Sequence, residues 1–347
     1  ARVGQKVAGR RRASANAHIN NDRIPYQQHH YPRTDKQIEE KEMATLKTRD
    51  DLLICVACGT QFDIPASNPP KGCRICDDPR QFVPPTGQTW TNLTAMRTNS
   101  YKNTIQQDAH EPRMYSIFTS PKFAIGQRCM LLQTACGNVL WDCITYLDAD
   151  TVEFINAKGG LEAIVISHPH YYTSHLDWAR TFDCPVYFSE EDVGWVSRGD
   201  GEGRRRLIGK GKIEEEIVGS GRGSEVVKAI KVGGHFEGSL CLLWDEKLLI
   251  ADTLVTTPSG LYHIDRPPGT NSYVFMWSIP NMIPLPPDII HEMWKRLKPY
   301  HFTSTHGAFA GIDVRDKNVK ARVLESMKIQ VSSAGWRKDA EILNETL

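Results

Sequence analysis

The chain has 347 residues, 40 % of them hydrophobic and 24 % charged, with a formal net charge of +1. That length accommodates one large domain with an appendage, or two domains. The near-neutral balance excludes a global field for nucleic acid or a membrane surface, and no apolar run approaches the ~18 residues of a membrane span. The expectation is a soluble protein, with its oligomeric state left open.

The first 21 residues carry Arg2, Lys6, Arg10, Arg11 and Arg12 and no acid, a composition similar to that of a mitochondrial transit peptide. The following "NNDRIPYQQHHYPRTDKQ" offers little to bury. Residues 1–42 therefore read as a disordered or spurious extension, with organised sequence from about Met43. Nine cysteines, two pairs of them tightly spaced, indicate metal binding plus free buried thiols rather than a disulfide framework. This predicts a reducing compartment: the cytoplasm, or the mitochondrion if the extension is genuine.

Residues 43–112 form the first unit. Cys55 and Cys58 make one C-x-x-C, and Cys73 and Cys76 make another after 14 intervening residues. Four thiolates satisfy the tetrahedral demand of zinc, and Gly59 permits a tight knuckle. A closed all-cysteine shell is structural, so a small zinc-ribbon-like module is predicted. A rubredoxin-like iron centre is the alternative at this spacing. Few aromatic residues lie nearby, which disfavours nucleic acid as a partner. Residues 91–112 read as a connecting arm.

The second unit spans residues 113–347. "YSIFTS", "FAIGQRCMLLQT" and "NVLWDC" are strand-like runs. "DADTVEFINAKGG" reads as a helix capped by Asp150 or Thr151 and stopped by Gly159. "LEAIVIS" and "CPVYFS" are strands around a helix "TSHLDWARTF". Residues 198–224 read as a surface excursion with one short strand pair. "VVKAIKVGG", "SLCLLWD" and "KLLIAD" are strands again. "PPDIIHEMWKRLKPY" is an amphipathic helix with Ile289, Met293, Trp294 and Leu297 on one face. "HFTSTHG" is a closing strand and "NVKARVLESMKIQVSSA" a final helix. The fold class is α+β: two mixed sheets face to face, with helices outside.

"IVISHPHYYTS" carries the chemistry. Pro169 holds the chain extended, and period two sends His168 and His170 to one side of a strand end. Two converging imidazoles begin a metal site. His235 in a glycine-rich turn, and Asp142, Asp252 and His306 at strand ends, are further ligand-type residues. A carboxylate such as Asp252 after an apolar strand is costly unless paired or ligated.

These motifs, in this order, resemble the metallo-β-lactamase-fold superfamily over residues 114–312. "VLWDC" matches its first motif, "SHPHYYT" its H-x-H-x-D-H, "GGHFEGS" its third, "IADT" its fourth and "THG" its last. The whole chain, knuckle included, resembles an uncharacterised fungal-type branch of that superfamily. The resemblance implies an αββα sandwich with metal at one edge of the sheets. It also implies that His168, His170 and His235 hold one metal, with Asp252 in reach. The motif's aspartate and last histidine are replaced here by Tyr172 and Thr173, so a second metal would keep only Asp252 and His306. A single active-site metal is therefore predicted. His175 or Asp177 is the candidate replacement ligand.

Three histidines and one open position suit a zinc ion that lowers the pKa of bound water from 15.7 toward about 7. The predicted function is hydrolysis of an ester, lactone, thioester or similar bond by the resulting zinc-bound hydroxide. Asp252 would orient the water, His306 protonate the leaving group and Tyr172 donate to a developing oxyanion. Two alternatives stand beside it. One is a catalytically dead scaffold or binding protein. The other is an iron oxidoreductase using His168, His235 and Asp252. Trp277, Tyr273 and Phe275 are the candidate pocket wall.

Overall fold

Strand alternation decides how the layers stack, because successive side chains leave a sheet on opposite faces. The computed structural model describes residues 46–219, 225–262, 266–336 and 339–347. The extension expected at residues 1–42 lies outside them. At the start, β1 (Leu52–Cys55) pairs antiparallel with β2 (Gln61–Pro65) and β3 (Trp90–Thr91). Helix α1 (Leu93–Thr98) follows, its first turn closed by the Asn92 side chain, which accepts from Ala95 N at 2.8 Å.

The first large sheet has seven strands. β4 (Lys102–Gln107), β5 (Met114–Ser120), β6 (Cys129–Leu132) and β7 (Val139–Trp141) form an antiparallel meander. Helix α2 (Ala149–Ala157) crosses over to β8 (Ala163–Val165), and α3 (His175–Phe182) to β9 (Val186–Ser189). β10 (Arg205–Ile208) completes a parallel run from β7 to β10. The second sheet holds β11 (Glu214–Val218), β12 (Val227–Lys231), β13 (Leu240–Trp244) and β14 (Lys247–Ala251). Two small ribbons come next: β15 (Val255–Thr256) with β16 (Tyr273–Val274), and β17 (Met276–Ser278) with β18 (Ile283–Pro284). After α4 (Pro287–Leu297), β19 (Ser304–Gly307) and β20 (Val314–Arg315) close the sheet, and α5 (Val319–Ser333) packs on it.

In β12–β14, Ala229, Leu240, Leu242, Trp244 and Leu249 enter the core shared with the first sheet. Their alternates Ile230, Cys241, Leu248 and Ile250 pack instead with Met293 and Trp294 of α4 and Val323 and Met327 of α5. Val152 and Ile155 of α2 and Trp178 of α3 cover the first sheet. The result is the αββα sandwich. No helix among the described residues is long and apolar enough to cross a membrane.

Several local expectations are corrected. The cap of α2 is Asp148, which accepts from Thr151 N at 2.9 Å, so the helix begins earlier than Asp150 or Thr151 as cap would allow. The buried face of α4 carries Ile290 rather than Ile289. The strands within residues 198–224 do not pair with each other, since β10 joins the first sheet and β11 the second. Part of the expected arm, β4, is the edge strand of the first sheet.

The four-cysteine segment is docked on the sandwich by buried polar contacts. Gln61 N donates to Thr173 O at 3.1 Å, and Thr145 Oγ1 donates to Gly59 O at 2.9 Å. Asp177 sits fully buried between Arg198 at 2.9 Å and Arg49 N at 3.1 Å. Arg198 in turn reaches Gln61 and Asp63 of the segment. Removing Arg198 leaves the buried Asp177, among the described residues, with only the longer Arg180 ion pair at 3.6 Å. Arg198→Leu should therefore cost about 3 kcal/mol in a urea unfolding titration. An unchanged midpoint would mean that this ion pair does not seat the segment.

Candidate functional site

β8 ends where the chain is gripped by both sheets. Ser167 N donates to Asp142 Oδ1 at 2.8 Å, and Ser167 O accepts from Leu240 N at 2.9 Å. His168 is still extended, with φ −166° and ψ 171°, but Pro169 then opens a 3₁₀ turn over Pro169–Tyr171. The fixed φ of proline suits the first position of such a turn. The expectation of a continuing strand is thus corrected: the turn, not period two, brings His170 back beside His168, with ring centroids 5.0 Å apart.

His235 comes from the turn between β12 and β13, where Gly233 and Gly234 adopt φ of 77° and 90°. At Gly234 a Cβ would lie 2.6 Å from Met293 Sδ, so only glycine lets this turn approach α4. His235 Nε2 lies 3.2 Å from His170 Nδ1, and the His168 and His235 centroids are 5.0 Å apart. Asp252 follows β14, with Oδ2 at 3.4 Å from His168 Nε2. One donor atom from each of His168, His170, His235 and Asp252 lies within 4.8 Å of every other.

The donor set fits a divalent metal. The Nε2 atoms of His168 and His170 are buried and have no hydrogen-bond partner. The other side of each tethered ring is held: His168 Nδ1 lies 2.8 Å from Ser167 Oγ, and His235 Nδ1 donates to Met276 O at 3.0 Å. Such contacts orient imidazoles toward a shared ion. Burial pulls the His170 pKa well below its ordinary value and that of His235 to about 4, so both rings stay neutral. Burial pushes Asp252 upward, but its contact with His168 and the nearby rings outweigh that and hold the carboxylate ionised. Tyr171 donates its hydroxyl to Asp252 Oδ1 at 2.9 Å.

Other expected site residues lie elsewhere. His306 pairs in register with Leu249, three residues short of Asp252, so it faces the inter-sheet layer. There its Nε2 lies 3.0 Å from Ser304 Oγ and its Nδ1 3.5 Å from Asp313 Oδ1. It groups with Asp108 and Asp313, whose carboxylates are paired with Arg315 and Arg128. The structure does not bring His306 to the other histidines. Tyr172 turns the other way, its hydroxyl donating to Asp192 O at 3.1 Å and its ring against Phe188. Its neighbour Tyr171 makes the site contact instead. His175 donates from Nδ1 to Tyr172 O at 2.6 Å and accepts at Nε2 from Arg205 at 3.1 Å. With Asp177 held by Arg198, neither replaces a lost ligand. Asp142 holds the Ser167 backbone and is not part of the ligand group; burial raises its carboxyl to about 8.

The four cysteines converge as expected from their spacing. Cys55 and Cys76 sulfurs are 3.6 Å apart, Cys58 and Cys73 sulfurs 3.7 Å. Tetrahedral zinc with bonds of ~2.3 Å requires sulfurs about 3.8 Å apart. The two knuckles are alike: Gly59 N donates to Cys55 O, and Asp77 N to Cys73 O, both at 2.8 Å. Gln88 Nε2 donates to Cys55 Sγ at 2.9 Å.

A cavity of about 180 Å³ opens on His170, His235 and Asp252. Its other walls include Ala57, Gln81 and Phe82 of the cysteine segment, with Ile279 and Phe309. The sequence carried no motif for this wall. Of the aromatic residues expected there, Tyr273 and Phe275 lie in the core under α4 and α5, and Trp277 packs against the Arg80 guanidinium at 4.9 Å. A larger hollow of about 480 Å³, beside His291 and Trp336, contains none of His168, His170, His235 and Asp252.

No protein-family model matches the chain. The uncharacterized protein YmaE of Bacillus subtilis (strain 168) is 37 % identical over 278 residues, covering 79 % of this chain and 95 % of that protein. Similar solved structures include VMB-1, at 12 % identity and TM-score 0.44 over 67 % of this chain and 98 % of that one. The metallo-β-lactamase of Pontibacter korlensis is 13 % identical, with TM-score 0.44 over 65 % and 99 % of the two chains. A mutant flavo di-iron protein of Thermotoga maritima is 14 % identical, with TM-score 0.42 over 65 % of this chain and 62 % of that one.

The placement of His175 has a pH signature. Burial, with Arg205 beside it, lowers its pKa from 6.5 to about 3. The unfolded chain therefore takes up a proton that the folded one refuses, and stability falls as pH drops from 6.5 toward 3. His175→Gln should flatten that part of the stability–pH curve in metal-loaded protein. An acid limb of unchanged slope would remove His175 as its source.

Proposed function

The chain belongs to the family of the uncharacterized Bacillus subtilis protein YmaE, and from that premise, together with its convergent imidazoles, we propose a metal-dependent hydrolase of small-molecule ester, lactone or thioester bonds. The observation that carries the reading is the pair of buried, unpartnered Nε2 atoms of His168 and His170 beside an ionised Asp252. Leaving such atoms without a partner costs free energy that a bound cation removes.

His168, His170 and His235 would hold one active-site metal with Asp252 beside them, and the four cysteines a second, structural one. Three imidazoles and a carboxylate suit zinc, and also accept iron. When bound, a divalent ion supplies Lewis acidity that polarises a carbonyl and acidifies water. The protein's own residues do the rest. Tyr171 fixes Asp252 through Oδ1, which leaves Oδ2 turned toward the imidazoles as the acceptor for a proton from the attacking water. Apolar walls at Phe82, Ile279 and Phe309 favour a largely apolar acyl or aryl group. His306 and Tyr172 have no part in this scheme.

All nine cysteines are free and buried, in keeping with a reducing compartment. YmaE is bacterial and lends no support to a fungal-type branch.

The test pairs metal analysis of purified protein with a panel of ester, lactone and thioester probes. His170→Ala should lose one metal equivalent, keep the cysteine-bound one, and lower hydrolysis at least ~10²-fold. Metal held by the cysteines alone in the unaltered protein would favour a non-enzymatic scaffold. Iron at the histidines with oxygen uptake, and no hydrolysis, would favour an oxidoreductase.

A further inference from the structure

Residues 78–82, just after the second knuckle, are anchored at several points. Gln81 N donates to Asp78 O at 2.9 Å. Asn281 Nδ2 donates to Pro79 O at 2.8 Å and to Gln81 O at 3.0 Å, and Ser278 Oγ donates to Arg80 O at 3.0 Å. The Arg80 guanidinium is paired with Asp78 at 2.9 Å and lies against Phe236, Trp277 and Trp195, at 4.5, 4.9 and 5.6 Å from their ring centroids. Phe236 in turn packs on His170 and His235, with centroids 4.9 and 5.2 Å apart. The segment is thus fixed against the metal-type group.

Within this fixed segment the Gln81 carboxamide makes no hydrogen bond to the described residues and is left to face the cavity. Gln81 is only 9 % exposed and lines the cavity with His170, His235 and Asp252. Its backbone N–H and carbonyl are bonded. Buried amides are ordinarily satisfied, and an idle one aimed into a small cavity is a ready ligand contact. Phe82 beside it forms an apolar wall.

We propose that the four-cysteine segment is part of the substrate site: Gln81 donates from Nε2 to the carbonyl oxygen of a small ester or lactone, and Phe82 sets the size of the acyl group accepted. This rests on the hydrolase reading above. In the reaction, the water oxygen bonds to the acyl carbon and the acyl C–O bond breaks. One water proton ends on the departing alcohol, and the acid product releases the other. Gln81 transfers no proton; its N–H stabilises charge growing on the carbonyl oxygen. The cavity of about 180 Å³ suits a short acyl or single-ring group. The chemistry and the fixed knuckle are then one device, because the turn that follows Cys76 presents Gln81.

The test uses full-length, metal-loaded protein, with phenyl acetate, phenyl butyrate and δ-valerolactone as substrates and phenylacetate as a bound product analogue in calorimetric titration. Gln81→Met and Gln81→Glu should each lower kcat/KM about 10²-fold and weaken phenylacetate binding. Metal content and the unfolding midpoint should stay unchanged, because the side chain has no structural bond to lose. Phe82→Ala should raise kcat/KM for phenyl butyrate relative to phenyl acetate about 10-fold, because the two differ only in the acyl chain. If both Gln81 variants match the unaltered protein in turnover and binding, the inference falls and the hydrolase reading stands. If nothing is hydrolysed yet phenylacetate binds in a Gln81-dependent way, the hydrolase reading falls and the contact stands. An unaltered protein that neither hydrolyses nor binds these probes overturns both.

Discussion

Ser167 is held from both sheets at once, and the site is built outward from that grip. Asp142 takes its N–H from within the first sheet, and Leu240 N of the second takes its carbonyl. The residue before the first histidine therefore cannot shift without disturbing both layers. Everything that converges there arrives by short, locally constrained paths: a proline-led turn for His170, a double-glycine turn for His235, and a kink at Ala251, φ 45°, for Asp252. Asp142 itself has φ 61°. Non-glycine residues in this region persist only where the surroundings over-determine them, and they gather where a site must be held in one geometry.

The loop after His170 and the cysteine segment form one arrangement. The Thr173 carbonyl accepts the Gln61 N–H of the segment. Tyr172 packs on Phe188 and bonds Asp192. Asp177, two residues beyond His175, is held by Arg198 and Arg49. Thr173 and Asp177 thus help fasten the segment, whose Ala57, Gln81 and Phe82 line the cavity beside His170, His235 and Asp252.

Much of this was legible in the sequence, and the rest was not for identifiable reasons. Strand periodicity and the order of the motifs carry the two-sheet architecture, because burial on both faces leaves a strong local mark. Cysteine spacing carries the four-sulfur group, since a C-x-x-C turn is itself a local geometry. His306 misleads because its place depends on the register between β14 and β19, which no local pattern encodes. Tyr171 and Tyr172 are adjacent, and only the 3₁₀ turn decides which of them reaches Asp252. Gln81 and Phe82 belong to no motif; they matter because Arg198, Thr173 and Asn281, far along the chain, set the segment against the cavity.

The Arg80 guanidinium, wedged against Trp277 and Trp195, gives the molecule a built-in optical gauge. Indole emission responds to a cation at close range, and these two indoles share one cation that is carried by the cysteine segment. Lifting that segment would separate them from it, so the seating of the knuckle can be followed by fluorescence without any added dye.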